Sequence, residues 1–411
     1  MIDTQKRQER VILVGVELQE TEHFDQSMAE LASLARTAGA EVIGAYSQKR
    51  DRYDSKAFIG SGKLEEIKAI IEGEEIDTVV VNNRLTARQN TNLETALEVK
   101  VIDRMQLILD IFAMRARSYE GKLQVHLAQL KYMLPRLVGQ GIMLSRQAGG
   151  IGSRGPGESQ LELNRRSIRN QIRDIEQQLK RVEANRQTSR DKRIQSTAFK
   201  IGLVGYTNAG KSTIMNALTD NRQYEADELF ATLDATTKQI YLDGKFEATL
   251  TDTVGFIQDL PTELVAAFKS TLEESRHLDL LIHVIDASDP NHEEQEKVVL
   301  GILEDLDMLD IPRLTLYNKM DQAQDFTATL FPYESVSAKS ETARADLRDL
   351  LIRSIKERFV AFDIKINPSQ LYKVYDLGKV ALLNHEDLEE SERLRGYIAP
   401  EHQWRLEAFY D

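Results

Sequence analysis

A glycine-rich segment containing one lysine and one serine, at residues 205–212, has the composition and spacing of a phosphate-binding loop. It reads GYTNAGKS, follows the apolar run IGLV and precedes the helical pattern TIMNAL. Glycines allow backbone N–H groups and a helix N-terminus to approach an anion closely. We expect the lysine to bridge the β- and γ-phosphates of a nucleoside triphosphate and the serine hydroxyl to bind Mg²⁺. The residues of this predicted loop are Gly205, Tyr206, Thr207, Asn208, Ala209, Gly210, Lys211 and Ser212.

Two further loops carry groups that can read a purine base. The first, Asn-Lys-Met-Asp, follows the apolar run RLTLY. Its aspartate can accept hydrogen bonds from N1–H and the 2-amino group of guanine, a donor pair that adenine lacks, so the site favours GTP over ATP. The asparagine should support the loop, the lysine stem should lie along the base, and Ser-Ala-Lys after YESV offers a backbone contact to guanine O6. These residues are Asn318, Lys319, Met320, Asp321, Ser337, Ala338 and Lys339.

A third group of residues is expected around the γ-phosphate. Asp252 ends the apolar run EATLT and is expected to hold Mg²⁺ through water, while the Gly255 N–H meets the γ-phosphate. In the loop FATLDATT, Thr232 is the predicted switch ligand of Mg²⁺, with Thr236 and Thr237 as alternatives. The predicted metal ligands are therefore Ser212 and Thr232, and the predicted catalytic residues are Lys211, Thr232, Asp252 and Gly255.

The sequence lacks the glutamine that orients the attacking water in Ras-type GTPases. Phe256 follows DTVG at the place where Ras-type GTPases have a glutamine that orients the attacking water, so we expect slow intrinsic hydrolysis until an external element orders the switch loops. Asn208 resembles the potassium-binding asparagine of some related GTPases, and its amide oxygen suits K⁺. A hydrogen bond from Asn208 to its own loop backbone is an equally open interpretation.

The elements that must position these residues alternate between short apolar runs and helical patterns. They predict a P-loop GTPase domain with a mixed, mostly parallel sheet and helices on both faces. The first hundred residues predict a smaller parallel α/β domain, and the last fifty a small α/β appendage. Within the first domain, residues 60–63 (GSGK) resemble a phosphate loop but lack its first glycine and its hydroxyl, so we expect a helix N-terminal turn there. The predicted domains are 1–113, 114–196, 197–360 and 361–411.

Composition indicates a soluble chain with one basic region. The sequence of 411 residues has no cysteine, which excludes disulfides and thiolate metal sites, and it has no apolar run long enough to span a membrane. We therefore expect a cytoplasmic protein. The net charge is −13, yet residues 115–200 contain 18 Lys and Arg against 7 Asp and Glu. The local charge of +11 indicates one basic surface on an otherwise acidic protein.

The basic region is predicted to be a helical hairpin. A helical pattern runs from about residue 104 to Pro135, which should end or kink it, and a glycine-rich segment follows at residues 149–157. A second helix at about 159–193 has one apolar seam formed by Ile168, Ile172, Ile175, Leu179 and Val182. The composition favours contact with folded RNA, whereas a solvated coiled-coil face is the alternative. The arginines concerned are Arg146, Arg154, Arg165, Arg166, Arg169 and Arg173.

The motifs DTVGF, FATLDATT, NKMD and SAK together resemble the HflX family of translational GTPases. The upstream segments SKAFIGSGKLEEI and GGIGSRGPGESQLE resemble the same family, and the likeness weakens after about residue 360. One departure is Ala235, where a proline is common. The resemblance implies GTP and GDP as ligands, Mg²⁺, a monomer in solution, and binding to the 23S rRNA of the large (50S) ribosomal subunit. Carried over by position, it also implies nucleotide contacts at Phe230, Ala231, Leu233, Asp234, Thr253 and Val254. It implies a role in splitting or rescuing stalled ribosomes; a ribosome-assembly GTPase and a nucleotide-dependent scaffold are the alternatives.

Overall fold

The computed structural model describes residues 7–20, 23–146, 160–194, 198–219, 230, 236–253, 255–257, 278–324, 326–387 and 392–409. The described residues form two compact units, one before and one after residue 183. Among the helices that the structure describes, none is both long and apolar enough to cross a lipid bilayer.

The first unit begins with a four-stranded parallel sheet. Its strands are β1 (Arg10–Leu18), β2 (Glu41–Arg50), β3 (Thr78–Val81) and β4 (Lys100–Asp103), in the order β2-β1-β3-β4. Its helices are α1 (Phe24–Thr37), α2 (Ser61–Glu74), α3 (Ala87–Leu97) and α4 (Arg104–Arg115). The β-branched runs are buried because helices cover the sheet. The predicted parallel α/β fold is confirmed, and the segment GSGK forms the first turn of α2.

Two long helices follow, α5 (Tyr119–Arg146) and α6 (Gln160–Ile194). Pro135 was predicted to end or kink the first helix. It does not end it, because α5 continues through this proline. The chain instead leaves the helical pattern after α4, at extended Ala116, and restarts where the Ser118 hydroxyl accepts the Gly121 N–H at 2.9 Å. Near Pro135, Tyr132 and Arg136 donate to Asp103 at 2.5 and 2.6 Å, so contacts with the end of β4 offset the backbone bond that proline cannot make.

The apolar seam of α6 lies on its less exposed side. Ile175 is buried, and the other four seam residues are half-buried. Arg166, Arg169 and Arg173 are exposed, while Arg165 is half-buried. The side chain of Arg146 and the whole of Arg154 lie outside the described residues, as does the glycine-rich segment.

The second unit contains a six-stranded sheet in the order β10-β9-β8-β5-β7-β6. Its strands are β5 (Phe199–Gly205), β6 (Thr236–Leu242), β7 (Phe246–Asp252), β8 (Leu280–Asp286), β9 (Arg313–Asn318) and β10 (Tyr333–Ser335). The described helices of this domain are α7 (Lys211–Leu218), α8 (His292–Asp305) and α9 (Ala343–Lys356). Strand β6 pairs antiparallel with β7, and the other pairs are parallel. The predicted mixed, mostly parallel sheet is confirmed.

A small three-stranded antiparallel sheet ends the chain. It is formed by β11 (Val360–Ile366), β12 (Ala381–Asp387) and β13 (Glu392–Ile398), in the order β11-β13-β12. The short helix α10 (Leu371–Leu377) and a 3₁₀ segment (Pro400–Phe409) pack with it. Leu382 joins the apolar core of the six-stranded sheet, so the appendage is packed on that domain.

Candidate nucleotide site

The predicted site residues meet at the carboxyl edge of the six-stranded sheet. The parallel strands β5, β7, β8 and β9 end there, at Gly205, Asp252, Asp286 and Asn318. Loops at the carboxyl ends of parallel strands form the usual ligand crevice of open α/β sheets. Residues from distant motifs are therefore brought within hydrogen-bond distance of one another.

Two glycines of the phosphate-binding loop cannot be replaced without displacing a neighbour. A Cβ on Gly205 would lie 2.2 Å from the carbonyl oxygen of Val284 on the adjacent strand. Gly210 has φ +96°, and a Cβ there would lie 2.2 Å from Nδ2 of Asn318. The loop therefore packs closely against β8 on one side and against the predicted base-reading loop on the other.

Lys211 begins α7 and is buried. Its ammonium donates to the carbonyl oxygens of Gly205 and Tyr206, at 3.0 and 2.8 Å. Burial lowers the pKa of Lys211 to about 8, and the negative charge of Asp252 partly opposes this shift. The phosphate oxygens of a nucleotide would supply the negative charge that this buried ammonium lacks.

Ser212 and Asp252 come together as a metal-binding pair would require. The Ser212 hydroxyl donates to Oδ2 of Asp252 at 2.7 Å, and Asp252 is fully buried. The searched part of the chain holds no cluster of three or more His, Asp or Glu side chains suited to a metal ion. This donor set fits Mg²⁺, which commonly takes one or two protein oxygens and completes its shell with phosphate and water.

The switch threonines are only partly described. Phe230 is buried, whereas Ala231, Thr232, Leu233, Asp234 and Val254 lie outside the described residues. The two alternatives to Thr232 belong to strand β6. Thr237 and Thr251 share a hydrogen bond between their hydroxyls, 2.9 Å apart, and Thr236 lies opposite Asp252 in the register. Thr237 is therefore engaged within the sheet.

Asn318 connects the phosphate-binding loop with the Ser-Ala-Lys loop. Its Nδ2 donates to the carbonyl oxygen of Ala209 at 2.9 Å, and its Oδ1 accepts the Ala338 N–H at 3.0 Å. Because Asn318 is 2% exposed, these two bonds hold both loops through one buried side chain. Met320 extends the connection with an N–H bond to the Val336 carbonyl at 3.4 Å.

Asp321 is exposed at the edge of the site. Its backbone N–H donates to Oγ of Ser337 at 3.0 Å. A hydrogen bond from the Ser337 side chain lowers the pKa of the Asp321 carboxyl, and Lys339 contributes in the same direction. The carboxylate is therefore ionised at neutral pH and can accept two donors from a base.

Asp286 is a site residue that the sequence motifs did not predict, and its Oδ2 lies 2.7 Å from the ammonium of Lys319. This ion pair fixes the lysine that follows Asn318 and has positive φ. The available signal was the position of Asp286 at the end of LLIHVID, a parallel strand whose carboxyl end faces the same crevice.

The segment after Asp252 is tied to the phosphate-binding loop by backbone bonds. Thr207 N–H donates to the Phe256 carbonyl at 2.7 Å, and Phe256 N–H donates to the Gly205 carbonyl at 3.1 Å. The Thr253 hydroxyl donates to the Leu203 carbonyl at 2.7 Å. Asn208 is exposed with φ +61°, a conformation that asparagine tolerates.

A mostly parallel sheet with a glycine-rich loop before a helix, a serine–aspartate pair and a guanine-type Asn-Lys-Met-Asp loop defines the class of P-loop GTPases. Family models agree along the chain: "GTP-binding GTPase N-terminal" matches residues 25–113, "GTP-binding GTPase Middle Region" matches 115–193 and "50S ribosome-binding GTPase" matches 200–319. The chain belongs to the GTPase HflX family, as its motifs indicated. It is a GTP-binding enzyme that hydrolyses GTP.

Its relatives match over most of their length. GTPase HflX of Alkalihalophilus pseudofirmus is 47% identical over 93% of this chain and 91% of its own. GTPase HflX of Caldanaerobacter subterraneus is 52% identical over 78% and 74%, and that of Escherichia coli is 45% identical over 79% and 76%.

Proposed function

We propose that this GTPase couples its nucleotide state to binding of the large ribosomal subunit, and that it splits or rescues stalled ribosomes. The matched model of its GTPase domain describes a 50S ribosome-binding family. A cytoplasmic monomer fits this role. The domain division at about residues 113, 196 and 360 is proposed as well, with the basic helical pair contacting 23S rRNA.

The observation that carries the ribosome proposal is the arginine stripe of α6, defined as Arg166, Arg169 and Arg173. Their spacing of three and four residues places them on one side of the helix, about 10 Å from end to end. All three are exposed, while Ile175 is buried. A row of exposed guanidinium groups on one side of a helix matches the repeated phosphates of a folded RNA.

In the nucleotide site we propose that Lys211 contacts the β- and γ-phosphates, that Ser212 and Thr232 bind Mg²⁺, and that Asp252 holds the metal through water. Asp321 would select guanine, and Asn318 would keep the two base loops in place. The geometry that supports these roles is the Ser212–Asp252 contact and the buried Asn318 bridge. K⁺ bound by Asn208 would add positive charge at the phosphates during hydrolysis.

Ribosome splitting is tested on sucrose gradients. Intact 70S ribosomes are incubated with the protein and a non-hydrolysable GTP analogue, with GDP as comparison. We expect free subunits, with the protein in the 50S fraction, only in the GTP state. Intact 70S particles with no bound protein would contradict the proposal. Stable binding only to large-subunit precursors, on a parallel gradient, would favour the assembly GTPase, and GTP-dependent binding to 70S ribosomes without splitting would favour a scaffold.

The arginine stripe is tested by reversing its charge to glutamate at all three positions. The matched control reverses Arg344, Arg348 and Arg353 on α9, which makes the same change in net charge. The stripe variant should bind 50S subunits at least tenfold more weakly, with a shallower dependence on salt, because phosphate contacts are lost. GDP affinity should be unchanged. Equal loss of binding in both variants would show that net charge, and not α6, is responsible.

A further inference from the structure

Thr207, the third residue of the phosphate-binding loop, has a buried hydroxyl without a hydrogen-bond partner among the residues that the structure describes. The residue is 6% exposed, and its Oγ1 makes no hydrogen bond with any described residue. A buried hydroxyl without a partner is unfavourable, and such groups in folded proteins usually await water or a ligand. We therefore expect a water molecule or ligand bound at the loop to form a hydrogen bond with this hydroxyl.

The neighbours of Thr207 show which part of the nucleotide lies there. A Cβ built on Gly255 would lie 2.8 Å from Cγ2 of Thr207 and 3.2 Å from the ammonium of Lys211. Gly255 is the residue whose N–H is proposed to meet the γ-phosphate, and Lys211 is the proposed β- and γ-phosphate contact. Thr207 therefore lies beside the two residues that are proposed to contact the terminal phosphate, and not beside the proposed base-reading residues.

Two other hydroxyls in this part of the site already have partners. Ser212 donates to Asp252, and Thr253 donates to the Leu203 carbonyl. The Phe256 side chain, at the place of the missing glutamine, is 1% exposed and has neither donor nor acceptor. Ser212 and Thr253 use their hydroxyls in hydrogen bonds within the protein, and Phe256 has no polar group. Among these four side chains, only that of Thr207 therefore has a polar group available to contact the reacting atoms.

We propose that the Thr207 hydroxyl orients the attacking water during GTP hydrolysis. Its oxygen accepts a hydrogen bond from the water, and its proton is donated to a γ-phosphate oxygen. The water oxygen forms a bond with the γ-phosphorus, and the bond to the bridging oxygen breaks with its electron pair on GDP. The water proton passes to a γ-phosphate oxygen, and Thr207 keeps its own proton throughout. A short, buried side chain thereby performs the positioning that glutamine performs in other GTPases.

The test compares Thr207→Val, which keeps the shape and removes the hydroxyl, with Thr207→Ser, which keeps the hydroxyl. The matched control is Thr315→Val, which changes a buried threonine of β9 in the same domain. Hydrolysis is measured in a single turnover, with the protein in excess over GTP and well above its dissociation constant, together with GDP affinity and the melting temperature of nucleotide-free protein.

We expect Thr207→Val to hydrolyse GTP at least tenfold more slowly, in line with the roughly 10²–10³-fold effect of removing one catalytic hydrogen bond. Thr207→Ser and Thr315→Val should stay within threefold of wild type, and GDP affinity should change less than twofold. The melting temperature of Thr207→Val should equal or exceed that of wild type, because an unpaired hydroxyl is removed. Hydrolysis by Thr207→Val within twofold of wild type would overturn the proposal. Equal slowing in the Val and Ser variants would also overturn it, because shape alone would then matter.

Discussion

Lys211 provides a quantitative prediction about proton uptake on nucleotide binding. Burial lowers its pKa from 10.5 to about 8 in the nucleotide-free protein, so about half of the molecules carry a neutral Lys211 at pH 8 and about a tenth at pH 7. Phosphate oxygens beside the amine favour the charged form. Binding of GDP should therefore take up about half a proton at pH 8 and about a tenth at pH 7.

Isothermal titration calorimetry measures this uptake. GDP and Mg²⁺ are titrated in two buffers whose ionisation enthalpies differ, and the difference in observed heat gives the number of protons. Lys211→Met is the control, because it lacks the titrating amine and keeps the proton changes of the nucleotide itself. We expect proton uptake by the wild type to exceed that of this variant by about half a proton at pH 8. Equal proton numbers in the two proteins at pH 8 would show that Lys211 does not gain a proton when GDP binds.

The lowered pKa of Lys211 also makes the free energy of unfolding depend on pH. Between about pH 8 and pH 10.5 the folded nucleotide-free protein holds fewer protons at Lys211 than the unfolded chain does. Its free energy of unfolding should therefore rise with pH in this window, relative to that of Lys211→Met. Chemical denaturation at pH 8 and pH 9.5 measures this difference. A fall with rising pH, relative to the variant, would contradict the assigned burial effect.

Three further predictions concern the loops around the nucleotide. Asp321→Asn should shift preference towards xanthosine nucleotides, because an amide donor then faces the 2-oxo group; unchanged GDP affinity with no gain for xanthosine diphosphate would oppose the base assignment. Gly210→Ala should weaken GDP binding at least tenfold by displacing Asn318, whereas Gly244→Ala, at φ +79° with nothing within 4 Å, should leave GDP binding intact; equal affinities of both variants would argue against the steric explanation. Potassium should accelerate hydrolysis relative to sodium at equal ionic strength, and Asn208→Ala should abolish the difference; equal wild-type rates in the two salts would exclude a cation role.

The sequence predicted most of the GTPase domain because its signals are local. A phosphate-binding loop needs glycine, lysine and serine at fixed spacing between a strand and a helix, and residues 205–212 carry all of them. Alternating apolar runs likewise identified the sheet of that domain. These features depend on neighbours along the chain, so a single sequence contains them.

Contacts between segments that are distant in the sequence could not be predicted from local patterns. The Lys319–Asp286 ion pair and the Asn318 bridge depend on which strands lie side by side. Pro135 does not end α5, which was one of the two outcomes predicted for it, because the packing of α5 on Asp103 offsets the local preference of proline. The role of Thr232 and the glycine-rich segment at 149–157 stay predictions, since both lie outside the described residues.

The rate of GTP hydrolysis with purified ribosomal subunits shows whether the large subunit activates this GTPase. The protein is assayed alone, with 30S subunits and with 50S subunits, at equal concentrations and saturating GTP. We expect slow hydrolysis alone and with 30S subunits, and an increase of at least tenfold with 50S subunits, which would order the switch loops around Phe256. The same rate in all three samples would contradict a GTPase that acts through the large subunit.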